Sequence, residues 1–418
     1  MSLRDKHVLL IISGGIAAYK TAIIASTLRK QGAQVKCVMT KHATEFITPL
    51  TLREISGNPV AVSMFADVPE FHVEHIALAE WAHVVLVAPA TANIIGKAAN
   101  GIADDMATTV LMATTAPVMV CPAMNTNMWN NKIVQRNVQI LKDFGYMIMQ
   151  PDSGVLACGS VGAGRLPAPE RIIEVLEYVV DERKELCGQK VIVTAGGTRE
   201  ALDPVRYIGN HSSGRMGFAI ARDIGNHSSG RMGFAIARAA AKCGADVTLV
   251  AAPTDLVTPF KVNRVDVMTT GEMKEAVDRL YDDANIVIKA AAVADYRPAV
   301  RAQQKIKKND DKLTLNLVKN DDILFSLGQR KGNRILVGFA AETTDVIKYG
   351  KGKVAKKNLD MLVANDITAE GAGFKGTTNI GAFIYPDGTV EEQPLMSKDE
   401  LAERIIDRVI AIYNKKNL

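Results

Sequence analysis

Cysteine is scarce and unpatterned: Cys37, Cys121, Cys158, Cys187 and Cys243 form no CxxC pair and no metal-ligand spacing. A disulfide framework and a zinc site are thereby excluded, and a reducing compartment is indicated. No window reaches about 18 uninterrupted apolar residues, and the N-terminal MSLRDKHVLLIISGG has too short an apolar run for a signal peptide. These absences argue against a membrane protein and lead to the expectation of a cytoplasmic one. No Lys/Arg tract with interleaved aromatics is present, so nothing argues for nucleic acid, whereas the formal net charge of +5 permits anionic small-molecule substrates. A GxGxxG fingerprint is also missing, and a dinucleotide is therefore not specifically indicated.

What remains is an ordinary globular composition, 48% hydrophobic and 23% charged, on a chain of 418 residues that is too long for one core. The chain divides by its own grammar. KVIVTAGGTRE, residues 190 to 200, restarts a pattern already used at HVLLIISGGIAAYK, residues 7 to 20. In both, a β-branched and aliphatic run ends in a small residue and a Gly-Gly pair, Gly14-Gly15 and Gly196-Gly197. Glycines there allow a tight turn and a close approach of backbone N–H groups to a phosphate. A charged amphipathic helix over 168 to 185 precedes the restart, which places a domain boundary near residue 189: one domain over 1–189, the other over 190–418.

Strands are expected at Val8–Ile12, Val35–Met39, Val84–Ala88, Val118–Pro122 and Tyr146–Met149. In the second half they are expected at Val191–Thr194, Val247–Ala251, Ile286–Ala290, Ile335–Phe339 and Met361–Ala364. Helical-period segments separate them, so the fold class is α/β: two Rossmann-like domains with mainly parallel sheets. Asp387-Gly388 inside NIGAFIYPDGTVEEQ reads as a hairpin turn. Residues 301 to 319 read as a β-rich insertion in the second domain.

Ligands of such sheets sit at the C-terminal strand ends. In the first half those ends carry SGGIAAYK, Thr40, PATANIIGKAANG (89 to 101) and PAMNTNMW (122 to 129). Together they resemble the flavin-containing cysteine decarboxylases, in which a PxxAN segment and a PxMNxxMW segment surround FMN and the substrate. The resemblance covers the first half and implies that Gly15, Thr40, Thr91 and Asn93 lie around FMN, with Met124 packed beside it. Asn125 would hold the substrate carboxylate. His75, in the context HIxLAxWA, matches the family's active-site histidine; His72 reads as a structural or surface residue. Cys158 lies in the Gly-rich loop PDSGVLACGSVGAGRLP, which the resemblance makes a flap, with Cys158 as proton donor. The chemistry needs this equipment. Hydride transfer from Cβ to FMN turns the thiol into a thioaldehyde, loss of CO2 then gives a stabilised ene-thiolate, and the reduced flavin must return the hydride while an acid supplies a proton.

In the second half, Asp295 follows a strand in AAAVADYRP, where a buried carboxylate needs a cation, and the lysines of KIKK (305 to 308) follow it. GGT, DPVRYIGNHSSG, AAVADY, KIKK, KNDDI, GFAAET and KKNLDMLVAND, in this order, resemble phosphopantothenoylcysteine synthetase. The two matching halves are similar to the bifunctional bacterial enzymes of coenzyme A biosynthesis. The resemblance implies that the carboxylate of 4′-phosphopantothenate attacks the α-phosphate of CTP, and that cysteine's amine then attacks the acyl-cytidylate. Asp295 would hold Mg2+. Lys305, Lys353 and Lys357 would contact the triphosphate, and Phe339 with Asp321, Asp322, Ile323 and Leu324 would frame the nucleotide. Arg206 and Asn210 match the loop that handles the acyl-cytidylate. Lys289 reads as an incidental strand residue. Trimers of the first half and dimers of the second, closing into a dodecamer, are implied by the resemblance alone.

Two other readings were weighed: a non-catalytic flavin-binding regulatory protein, against which His75, Asn125 and Cys158 count, and a pair of NAD-dependent modules, against which the missing fingerprint counts. One departure from the family pattern stands out. IGNHSSGRMGFAIAR occurs at 208 to 222 and again at 224 to 238. One helix cannot absorb both copies, because at about 3.6 residues per turn the shift turns the apolar face away and each copy carries a helix-breaking Gly-Asn-His-Ser-Ser-Gly. The expectation is that Met232–Cys243 form the packed helix, capped by Ser228, Ser229 and Gly230. Asn226 then takes the acyl-cytidylate role with much of 209 to 223 looped out; a neutral duplication is the other reading.

Overall fold

The computed structural model describes residues 3–65, 73–157, 159–209, 228–306, 314–342, 346–366 and 378–417. The chain separates into two compact units, Met1–Glu182 and Arg183–Leu418. The division lies ahead of residue 189 because Leu186 is fully buried in the second unit's core and its N–H bonds to Cys243 O at 3.0 Å. Among the described residues no helix is long and apolar enough to cross a membrane.

In the first unit the strands are β1 (His7–Ile12), β2 (Gln34–Met39), β3 (Val60–Ala61), β4 (Val84–Ala90), β5 (Val118–Pro122), β6 (Met147–Ile148), β7 (Asp152–Val155) and β8 (Val161–Arg165). The helices are α1 (Thr21–Lys30), α2 (Pro49–Ser56), α3 (Glu74–Trp81), α4 (Ala92–Ala99), α5 (Met106–Ala113), α6 (Thr126–Trp129), α7 (Lys132–Asp143) and α8 (Pro169–Val180). The main sheet runs β3-β2-β1-β4-β5-β6 and its pairings are all parallel. Such a sheet is covered on both faces, which is why β1 is an unbroken aliphatic run with Val8 to Ile12 fully buried. Burial of those five side chains contributes at most on the order of 10 kcal/mol. The Gly-rich segment expected to be a loop is instead an antiparallel hairpin, β7 with β8. Gly154 and Gly164, both at positive φ, supply backbone conformations that other residues resist.

The second unit has β9 (Lys190–Ala195), β10 (Arg199–Ala201), β11 (Tyr207–Gly209), β12 (Asp246–Ala251), β13 (Val262–Asp266), β14 (Ile286–Lys289), β15 (Tyr296–Pro298), β16 (Leu317–Lys319), β17 (Ile335–Glu342), β18 (Met361–Asp366), β19 (Thr378–Ile384) and β20 (Val390–Ser397). Its helices are α9 (Arg231–Lys242), α10 (Thr270–Tyr281), α11 (Ile323–Gln329), α12 (Val346–Lys356) and α13 (Lys398–Lys416). The sheet order is β13-β12-β9-β14-β17-β18-β19-β20, parallel as far as β18, with the expected hairpin β19–β20 added antiparallel at its edge. Strand order therefore reverses direction between β9 and β14, and that point is where such sheets bind ligands. Alternation along β9 sends Val191 and Val193 into one core with α9 and α13, and Ile192 into the other with α10 and α11. Of the strand-rich insertion expected over 301 to 319, the described residues include β16, paired with β15, and 307 to 313 lie outside them.

The second repeat copy forms the packed helix, as its spacing predicts: α9 begins at Arg231 and buries Phe234 to Ala237. Gly233 is the reason for the register, since a Cβ there would lie 2.6 Å from Ala195 Cβ and 2.8 Å from Thr194 O of β9. Of the three residues expected to cap it, Gly230 takes the N-cap position. It is left-handed at φ 75°, with no side-chain capping bond; Ser228 Oγ accepts from the Gly230 N–H. Asn210 and Asn226, and with them 210 to 227, lie outside the described residues.

Two candidate active sites

The first site is the mouth formed by the ends of β1, β2, β4 and β5. Ser13, which sequence reasoning treated only as a small residue before Gly-Gly, is its keystone: its buried hydroxyl donates to Pro89 O at 2.7 Å and accepts from the Thr91 N–H at 2.9 Å. The β1 and β4 loops are thereby tied, and leaving those two backbone groups unpaired would cost about 1–3 kcal/mol each. Gly15 faces Thr91, where a Cβ would come within 3.4 Å of Thr91 Cγ2, and a Cβ on Gly14 would collide with His42. Thr40 is buried and its Oγ1 accepts from the Ala43 N–H at 3.3 Å. Thr91 is the N-cap of α4 without a side-chain capping bond, and Asn93 is exposed on that helix's first turn.

Asn125 is the N-cap of α6, with Oδ1 accepting from the Asn127 N–H at 2.8 Å, which fixes the orientation of its amide. Met124 N–H bonds to Gly164 O at 2.9 Å, and Gly162 packs on Thr126, so the β7–β8 hairpin rests directly on the Met124–Thr126 loop. Thr126 Oγ1 is buried there without a hydrogen-bond partner. Nothing in the sequence distinguished it from its neighbours. His75 is half-buried in the first turn of α3. Cys158 and His72 lie outside the described residues.

The second site surrounds the ends of β9, β14 and β17. Thr194 Oγ1 accepts from the Ala291 N–H at 3.1 Å and Thr198 Oγ1 from the Ala294 N–H at 2.9 Å, locking the GGT loop to AAAVAD. Buried Glu200 supports both through Thr270, accepting from its N–H and its hydroxyl at 2.8 and 2.7 Å. Asp295 itself is exposed, so the argument that its burial demands a cation fails. Lys305 is also exposed, but it is tethered by its neighbour: Ile306 N–H donates to Asp203 Oδ2 at 3.2 Å and Ile306 O accepts from Arg206 at 2.7 Å.

Asp203 is the residue the motif comparison passed over. Its buried carboxylate also accepts from the Val205 and Arg206 N–H groups at 2.8 Å each and from the Arg206 guanidinium at 2.9 and 2.6 Å. Desolvation opposes its ionisation, yet the bonds from Val205, Arg206 and Ile306 hold its carboxyl well below the usual carboxylate range. Arg206 and Lys305 are thus brought together.

Asp322 is the N-cap of α11, accepts from the Phe325 N–H at 3.1 Å and pairs with Lys357 at 2.8 Å. Desolvation again opposes its ionisation, and the Lys357 bond, the Phe325 N–H and the nearby lysine charges together outweigh it and lower its pKa. Asp321 is exposed, 3.9 Å from Lys274. Ile323 and Leu324 do not present their side chains to a ligand, because both are buried in the core beneath α11. Phe339 is half-buried at the β17 end and Lys353 half-buried on α12. Asn365, inside LVAND at the β18 end, has a buried Oδ1 with no partner among the described residues, another feature that strand periodicity does not reveal. On the opposite side of β9 a cavity of about 690 Å³ opens at the start of α9, lined by Arg199, Arg264 and Asp266 among others. Ser228 and Ser229, expected as caps of α9, line it, and none of the residues expected to bind a ligand does.

A Flavoprotein family model matches residues 1–181, and a model described as the DNA/pantothenate metabolism flavoprotein C-terminal domain matches 186–224 and 221–413. The second match is split inside the duplicated stretch. The chain is 44% identical over 413 residues to the coenzyme A biosynthesis bifunctional protein CoaBC of Bacillus subtilis, covering 98% of both chains. It is 47% identical to that of Vibrio cholerae, over 97% of this chain and 98% of the relative, and 44% identical to that of Escherichia coli over the full length of both. The chain belongs to the CoaBC family. As a CoaBC protein it is a bifunctional coenzyme A biosynthesis enzyme with a flavoprotein unit first, and the reading as a non-catalytic regulatory protein is not favoured.

Proposed function

We propose that the second unit joins cysteine to 4′-phosphopantothenate at the expense of CTP, and that the first unit decarboxylates the product to 4′-phosphopantetheine with FMN. The observation that carries this reading is the pair of strand-end mouths, each holding expected residues, on a chain similar over its whole length to CoaBC proteins.

Gly15, Thr40, Thr91, Asn93 and Met124 would hold FMN, which fits the Ser13-tied loops and the close approach of Gly14 to His42 and of Gly15 to Thr91. Bound there, FMN would supply reversible hydride transfer. Asn125 binds the substrate carboxylate through its amide, the hairpin over Met124 excludes water, His75 lines the pocket and Cys158 donates the closing proton. Cys158→Ser should stop the reaction at an oxidised ene-thiol, because a hydroxyl is the weaker acid; normal product by mass analysis would remove the assignment.

In the ligase, the 4′-phosphopantothenate carboxylate attacks the α-phosphorus, pyrophosphate leaves, and cysteine's amine then displaces CMP. Lys305, Lys353 and Lys357 neutralise the polyphosphate, and Phe339 and the Asp321–Leu324 turn frame the base, to which the unpaired Asn365 Oδ1 offers an acceptor. Among the described residues no group of three His, Cys, Asp or Glu could hold a metal. Asp295 would hold Mg2+ together with the phosphate oxygens of CTP, the usual manner of that ion, and the ion would neutralise charge on the polyphosphate. Arg206 acts on the acyl-cytidylate, together with Asn226 from the copy joined to α9. Ligation surviving in Asn226→Ala but lost in Asn210→Ala would reverse that choice.

The decisive experiment supplies CTP, cysteine and 4′-phosphopantothenate and follows products by mass. Lys305→Gln should block the acyl-cytidylate and leave decarboxylation of supplied 4′-phosphopantothenoylcysteine unchanged; equal loss of both would refute separate sites. A cytoplasmic location and a trimer-plus-dimer dodecamer complete the proposal, and light scattering that gives a monomer would exclude the latter.

A further inference from the structure

Lys289 is the last residue of β14, paired in register with Thr194 of β9 on one side and Gly338 of β17 on the other. It therefore stands beside the crevice where strand order reverses. Alternation puts it on the face of Val287 and Gly338, the face covered by α11. Lys289 is half-buried; burial is the largest influence disfavouring its charged form, and the charges acting on it are first Lys357, then Asp322 and Asp295. Yet Asp322 is already committed to Lys357 at 2.8 Å, and among the described residues no hydrogen bond or ion pair reaches Lys289. A desolvated cation without a counter-ion is costly in a folded protein. Nothing in the packing of β14 requires it: Ile286, Val287 and Ile288 are ordinary buried aliphatics, and an apolar side chain in sequence with them would avoid the cost. A cation retained there is matched to an anion that arrives from outside.

We infer that Lys289 is a binding residue for the polyphosphate of the nucleotide, a role outside the lysines of KIKK and of α12. The inference rests on the ligase reading of this mouth. Three features place it there: the crevice position, the missing counter-ion, and a neighbouring ion pair that holds Lys357 in place without neutralising Lys289. The arriving phosphate supplies the counter-charge that the protein withholds, so the same residue weakens the empty fold and strengthens the loaded one.

The test is thermal melting of the full-length protein and its Lys289→Met variant, with and without CTP plus Mg2+. Methionine keeps the length and removes the charge. Without nucleotide the variant should melt at or above the wild-type temperature, and the CTP-induced rise should shrink, with the CTP KM up at least about tenfold, the scale of one charge-assisted contact. A variant that melts several degrees lower without nucleotide would mean a structural lysine and overturn the inference. An undiminished CTP-induced rise in the variant would overturn it as well. If the wild type itself shows no CTP-induced rise, the ligase reading falls and the inference with it.

Discussion

The two mouths sit at equivalent ends of two parallel sheets and are built from opposite materials. In the first, hydroxyls, amides and glycines are tied by neutral bonds: Ser13 to Pro89 and Thr91, Thr40 to Ala43, Met124 to Gly164. In the second, the functional groups are charges, some paired tightly, as in Asp203 with Arg206, and others, Lys289 included, without an ion pair among the described residues. The difference follows from residence time. A group that stays bound needs a shape that is complete before and after turnover, which neutral bonds supply. A polyanion that enters and leaves each cycle needs fixed charges whose partners are absent in between.

The largest expected effect separates the two materials. Asn125→Asp sets a carboxylate against the substrate's own and should lower decarboxylation by roughly three orders of magnitude. Ligation, assayed as pyrophosphate release, should be unchanged. Full turnover by this variant would remove Asn125 from the site.

Asp203→Asn comes next. The new amide would put donors against Arg206 and the Ile306 N–H, releasing the loop that carries Lys305. Ligase kcat/KM should fall about 10–100-fold, with decarboxylation within twofold of wild type. Combined with Lys305→Gln the change should add little, because Asp203 acts through that loop; fully additive losses would show independent roles.

The smallest effect is on stability. Desolvation first, and Lys357 next, push the Lys289 pKa down to about 8, while an unfolded lysine titrates near 10.4. Between about pH 8 and 10.4 the unfolded chain holds a proton that the folded chain has released, so stability rises with pH across that window. Urea midpoints at the two ends should show this rise in the wild type and less of it in Lys289→Met. Equal slopes would contradict the depressed value.

Much of this was legible in the sequence for physical reasons. Parallel strands buried on both faces read as unbroken aliphatic runs, so β1, β9 and β14 were visible as such. Position α9 followed from the spacing of the second repeat, and the structure supplies its cause in the contact of Gly233 with β9. What was not legible depends on bonds between distant segments. Ser13 reaches Pro89, and Asp203 reaches Ile306, across separations that no local pattern encodes. The burial of Ile323 and Leu324 was hidden for a similar reason: a loop motif does not tell which of its side chains turn inward. Lys289 was read as incidental because its neighbours in the strand are aliphatic, and only the sheet order put it at the crevice.

The hairpin of β7 and β8 divides its own residues into those that can vary and those that cannot. A methyl group on Gly164 would meet Met124 O, and one on Gly162 would meet Thr126, so both positions are closed to any larger side chain. Val155 and Val161, near its tip, are 66% and 75% exposed, so their replacement gives up little buried surface. Divergence among descendants of this chain can therefore redecorate the tip without unseating the hairpin. The inner glycines act as a seat that drift cannot reshape in small steps.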